Sequence, residues 1–233
     1  MNETLEIGGL AFHVRRSAHR KSLGLTVDRD GDLVVHAPNA TATDDVERWT
    51  RKKLLWVHGK LAQRKLIAPR VHVPEFVSGE PFYYLGRSFS LKLVLDQKEP
   101  LRFEGKHFCL RRDSRSSAAV HFRKWYINTG TAWLKGRVAM LSRRTVANAA
   151  RIKVSNLGFR WASCGKNDTL FFNWKTLQLP VRLIDYVVMH ELVHLSEPHH
   201  TINFWRTLEA ALPDFRERQY ELLLKAREFP SWE

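Results

Sequence analysis

The stretch His190-Glu191-Leu192-Val193-His194 constrains this chain more than any other feature. It sits among Ile184, Val187, Val188, Leu192 and Leu195, apolar positions at helical spacing. On a helix, residues four apart stand one above the other, so both imidazoles aim at one point. Two histidines so placed suit a tetrahedral zinc ion, one per chain, and predict an amphipathic helix from Val181 to Leu195. Glu191 projects from the same turn as a candidate general base. Zinc brings the pKa of its water toward about 7, and a carboxylate there can move that proton to a leaving group.

A third ligand must come from beyond the helix. The chain continues Leu195-Ser196-Glu197-Pro198-His199-His200. Pro198 lacks an amide proton and clashes with the preceding turn, so the chain bends there. A bend can return a histidine to the metal. His200 stands ten positions after His190, the offset of the third histidine in the metzincin pattern. Glu197 occupies the place of that pattern's glycine, so the bend is made differently. His200 is the favoured third ligand, with His199 and then Glu197 as alternatives. Three protein ligands leave one position open, as a catalytic zinc requires.

The rest of the chain bounds the setting. Its 233 residues, 44% apolar and 27% charged, describe an ordinary globular protein of one unit or two small domains. Cys109 and Cys164 are too few for a disulfide framework or a thiolate zinc site, which implies a reducing, cytoplasmic compartment. Met1 to Leu10 has no basic start followed by an apolar run, so no secretory leader is read there. No stretch approaches the roughly 18 apolar residues of a membrane span.

The net charge is +14 and uneven. Between Arg111 and Lys153, eleven Lys or Arg face one acid, Asp113, giving 11 − 1 = +10. Such a segment is either a solvated helical face or a contact for nucleic acid. Its Phe122, Trp125, Tyr126 and Trp133 can stack bases, but at helical spacing they read better as core.

Local patterns predict an α+β chain without internal repeats. A hairpin is expected over Ser22–Val27 and Leu33–His36 around Asp30-Gly31. A long helix, capped by Thr43 or Asp44, should reach Lys65 and be ended by Pro69 and Pro74. Hairpins follow at Phe82–Leu85 with Phe89–Leu95, and at Leu101–Phe103 with His107–Leu110. A helix is expected over Ser117–Ala150, strands over Ile152–Arg160 and Thr169–Trp174, and helices over Thr201–Leu212 and Phe215–Arg227. The division falls near residue 112, into a β-hairpin-rich N-terminal domain (1–112) with one long helix and a C-terminal domain (113–233) holding the metal motif.

A family resemblance joins these observations. Arg160-Trp161-Ala162-Ser163-Cys164, Asn173-Trp174, the run from Ile184 to Leu195, His200 and Phe204-Trp205 resemble the YgjP-like metallopeptidase family of zincin-type metal-dependent hydrolases. Arg15-Arg16-Ser17, Arg20-Lys21-Ser22-Leu23, Ala37-Pro38 and Tyr84-Leu85-Gly86-Arg87 are similar to its leading segments, so the resemblance covers nearly the whole chain. It implies a zincin-like C-terminal domain with His190, His194 and His200 as ligands. One departure is Ala162, where the family usually has glycine. The offset of His200 and the Phe204-Trp205 pair also look, locally, like the WLM and SprT-like DNA-dependent proteases.

The resemblance places Ser163 and Cys164 near the metal helix, as support for the fold or for the ligands. Asn173 lies in the second motif, on a strand that either lines the cleft and binds peptide by strand addition or is ordinary core. Asp185 can accept a ligand's distal ring proton or serve the helix surface. Arg160 can polarise a substrate carbonyl or make a plain salt bridge. The expected activity is peptide hydrolysis by zinc-activated water with Glu191 as base. The rivals are a hydrolase of a non-peptide substrate such as a nucleotide, and a basic nucleic-acid-associated protein, one form of which is a protease recruited to DNA.

Overall fold

A computed structural model describes residues 3–27, 32–66, 73–145, 147–158 and 160–225. Two compact units divide at residues 68 and 69. The first holds β1 (Glu3–Ile7), β2 (Leu10–Ser17), β3 (Gly24–Val27) and β4 (Leu33–Pro38) in the order β1-β2-β4-β3. Gly8 and Gly9, at φ 61° and 75°, make the tight turn between β1 and β2. Phe12 and Val14 of β2 alternate inward with Leu33, Val35 and Ala37 of β4. Helices α1 (Thr43–Arg51) and α2 (Leu54–Leu66) supply Val46 and Val57 to the same core.

Two expectations change here. The single long helix is two, interrupted at Lys52 and Lys53. Thr43 does not cap it: its hydroxyl donates to Glu3 at 3.0 Å, and Ala42 holds the cap position without a side-chain bond. The Asp30-Gly31 turn and Pro69 lie outside the described residues.

The second unit holds β5 (Pro81–Tyr84), β6 (Arg87–Val94), β7 (Leu101–Glu104) and β8 (His107–Arg111) in the order β5-β6-β8-β7. The first sheet's plan recurs: two antiparallel pairs joined by a parallel central pair, β2 with β4 and β6 with β8. No sequence repeat marks this likeness, which is one of topology. Against the second sheet packs α3 (Ala118–Ser142), which buries Ala118, Phe122, Tyr126, Gly130, Leu134, Val138 and Leu141. That stripe advances about one turn per step. Phe122 stacks on Phe82 at 4.2 Å between centroids and meets Phe108 at 5.0 Å. Trp125 and Trp133 pack half-buried against the same core, so the aromatic residues of this basic segment serve packing.

This shared core explains why the division falls at 68 and not near 112. Phe82, Leu91, Phe108 and Leu110 bury against Phe122 and Tyr126, and a cut at 112 would sever them. The chain is α+β throughout, with mixed sheets. No helix among the described residues is long and apolar enough to cross a membrane.

A third sheet, ordered β10-β11-β9, joins β9 (Arg151–Ser155), β10 (Ala162–Gly165) and β11 (Thr169–Asn173). β11 is central and buried, parallel to β9 and antiparallel to β10. Leu170 and Phe172 face the core that receives α4 (Val181–His194). Helices α5 (Ile202–Ala211) and α6 (Phe215–Lys225) complete the unit around α4.

Candidate metal centre

Helix α4 is buried nearly all round; Leu183, Ile184, Val188, Met189 and Leu192 are fully enclosed. Its start is fixed from outside. The backbone amides of Leu85 and Gly86 donate to the Leu177 and Gln178 carbonyls at 2.7 and 3.3 Å. Gly86 has φ 78°, and a side chain there would meet Pro180 Cα at 2.6 Å. Arg137 of α3 donates to both Asp185 carboxylate oxygens at 2.5 Å each, clamping α3 to α4. Asp185 is therefore an inter-helix partner and does not take a ligand's ring proton.

His190, Glu191 and His194 occupy the last turn and a half of this rigid helix. The chain turns after Leu195, and Thr201 starts α5 by accepting the Phe204 amide on its hydroxyl at 3.4 Å. This bend brings His200 back. Its Nε2 lies 3.0 Å from Nε2 of His190 and 3.1 Å from Nε2 of His194. His199 and Glu197 stay outside the cluster. Glu197 contributes its backbone carbonyl, which accepts the Nδ1 proton of His194 at 3.0 Å and leaves Nε2 of that ring with its lone pair. Phe204, fully buried, lies under all three rings at 4.5 to 4.9 Å, and Trp205 stacks on His200 at 5.4 Å.

The electrostatics suit a cation. Burial, followed by neighbouring His194 and His200, pushes the His190 pKa down to about 3. Burial, then His194 and His199, lowers that of His200. Both shifts favour the neutral ring at His190 and His200, and the Nε2 atoms of all three histidines converge. Ligands about 2.0–2.1 Å from a tetrahedral zinc stand roughly 3.3 Å apart, close to the spacing seen here. Nδ1 of His190 and Oε2 of Glu191 are buried without hydrogen-bond partners. Such orphaned groups cost free energy unless something else engages them. Among the described residues, the three histidines are the group of His, Cys, Asp and Glu side chains suited to hold a metal ion.

Glu191 is only 7% exposed. Burial raises its pKa to about 7, against a hydrogen bond from the Cys164 backbone amide and the charge of Arg160. A carboxyl so poised can accept and release a proton near neutrality. A cleft of about 660 Å³ opens over the histidines and Glu191. Arg160, Ser163, Cys164, Lys166 and Asp168 line its other side.

The cleft-lining strand is therefore β10 and not the 169–174 segment, which is core. Asn173 lies away from the cleft: its amide donates to the carbonyls of Gly158 and Arg160 at 3.0 and 2.9 Å and holds the loop that carries Arg160. The carbonyl of Trp161 accepts from the Asn173 amide at 2.8 Å, so the alternation of an antiparallel pair turns the backbone groups of Ala162 and Cys164 toward the free edge. Arg160 makes no ion pair among the described residues. Sequence reasoning missed Lys166 and Asp168, which follow the edge strand in a turn with Asn167 and Asp168 at positive φ. An Asn-Asp pair is a turn signal that marks this hairpin.

The chain matches the YgjP-like, metallopeptidase domain family over residues 21–224 and belongs to that family. The family is one of metallopeptidases, hydrolases that use a bound metal on peptide bonds, and the three-histidine group could hold such a metal. No curated protein matches the chain. Among solved structures it is similar to the metallopeptidase zymogen of Pyrococcus abyssi abylysin, with 19% identity, a TM-score of 0.38, and coverage of 42% of this chain and 98% of that one.

Proposed function

We propose that the protein is a zinc-dependent peptidase in which His190, His194 and His200 hold the metal and Glu191 is the general base. The carrying observation is the convergence of three histidine Nε2 atoms beside a buried carboxylate with an unpartnered oxygen. Zinc bound there supplies Lewis acidity and a water acidic enough to attack at neutral pH. Glu191 Oε2 takes the proton of the attacking water and returns it to the departing amide nitrogen. Arg160, across the cleft, adds positive charge near the oxygen that becomes negative. The backbone groups of Ala162 and the Cys164 carbonyl, on the free edge of β10, can pair with an extended peptide, aligning it past Glu191. Histidine ligands with one carboxylate favour this reading over a nucleotide phosphohydrolase, whose paired metals need several carboxylates. Zinc-loaded protein should cleave members of an unstructured peptide mixture, lose the activity to a chelator and regain it with zinc. Cleavage that survives chelation, or no cleavage of any peptide by the loaded protein, would contradict the proposal.

A further inference from the structure

The three-stranded sheet has a second edge, and it borders a second concavity. This groove, about 710 Å³, lies between the C-terminal half of α3 and the segment 148–153. Lys135 and Arg143 line it from α3 and its end, Arg151 and Lys153 from β9, and no acid contributes. Lys135, Val138, Ala139 and Ser142 follow one helical face, while Arg151 and Lys153 share one side of their strand. All four basic residues are exposed, and none is in an ion pair among the described residues. Other cations of the same basic segment are engaged: Arg137 with Asp185, Arg111 with Asp113, and Arg115 with the Glu75 carbonyl.

A purely local role explains part of this set. Arg143 stands at the C-terminus of α3, where a cation offsets the helix dipole. Lys135, on the preceding turns, and Arg151 and Lys153, on another element, have no such use. Lys135 and Arg143 alone stand about 12 Å apart along the helix, more than one small anion can span, and Arg151 and Lys153 add two further charges from β9. Their recess in a groove with an apolar floor suits a strand more than a flat lipid surface. The Lys153 ammonium also lies over the ring of half-buried Phe171, 5.8 Å from its centroid. A positively charged groove that tracks the backbone is one general part of a sequence-tolerant single-strand site.

We infer that this groove binds single-stranded nucleic acid through its phosphates, with Lys135, Arg143, Arg151 and Lys153 as the contacts. Binding needs neither the metal nor Glu191, so its failure leaves the peptidase reading intact.

The test is fluorescence anisotropy of a labelled single-stranded oligonucleotide with the full chain at several salt concentrations. Four phosphate contacts give a log–log slope of about −2.8, or a roughly 50-fold affinity loss between about 50 and about 200 mM salt. Arg143→Gln with Arg151→Gln should halve the slope, leaving a loss of about 7-fold over that range. Lys92→Gln with Lys106→Gln removes equal charge outside the groove and should change neither value. If the first pair fails to fold, Lys135→Gln with Lys153→Gln replaces it. Absence of binding by the wild type, equal losses in both pairs, or a groove that captures anionic phospholipid vesicles in place of the oligonucleotide would each overturn the inference.

Discussion

The two edges of the β10-β11-β9 sheet carry opposite chemistry. Beside β10, His190 and Glu191 of α4 are drawn into a cleft where burial disfavours their charged forms: the pKa of His190 falls to about 3 and that of Glu191 rises to about 7. At β9, the ionisable side chains are exposed and share one sign. Burial makes groups that donate lone pairs and move protons. Exposure keeps charges available for long-range attraction. A single small sheet thus supports a reactive edge and a cationic one, and what separates them is how much packed structure stands beside each strand.

The largest effect expected on the reactive edge alone comes from Glu191→Gln. Peptide turnover should fall by about 10²- to 10⁴-fold while metal content stays unchanged and oligonucleotide binding persists. A variant with near-normal turnover would show that the buried carboxyl is not the base.

Next is Gly86→Ala, which probes whether the reactive edge depends on the seat of α4. The added methyl meets Pro180 at 2.6 Å, at a φ of 78°. A destabilisation of about 1–3 kcal/mol is expected, lowering Tm by roughly 2–4 °C per kcal/mol. An unshifted Tm would mean that the approach of this turn to Pro180 is dispensable.

The smallest effect belongs to Asp185→Asn, which weakens the Arg137–Asp185 clamp between the helix of the basic groove and the helix of the histidines. Both partners are largely covered, with side chains 25% and 13% exposed. About 1–2 kcal/mol should be lost in denaturant unfolding. If metal affinity falls by far more than stability does, Asp185 acts on the ligands after all, and the separation of the two edges is less complete than described.

Much of the reactive edge was legible because its signal is local. The helix of His190 and His194 has its period written in Ile184, Val187, Val188 and Leu192. The return of His200 followed from Pro198, and α5 and α6 lie where their apolar spacing put them. The edge strand β10 was not legible as a strand: four residues, Ala162 to Gly165, show no alternation, and their place is set by pairing with β11. The hairpin of β1 and β2 was overlooked although Gly8-Gly9 marks its turn. The division at 68 stayed hidden because it depends on which residues share a core. Phe82 and Phe108 meet Phe122 only through tertiary packing, and no pattern within the 82–122 segment announces that contact. The basic groove was legible as charge but not as shape: of the eleven Lys or Arg between Arg111 and Lys153, Lys135, Arg143, Arg151 and Lys153 line it.

The central claim is that three histidines from α4 and the bend after it hold one metal ion. Elemental analysis of the wild type beside His200→Ala tests it most directly. The expected result is about one zinc per chain in the wild type, lost or greatly weakened in the variant. Equal zinc in both, or none in carefully prepared wild type, would contradict the account.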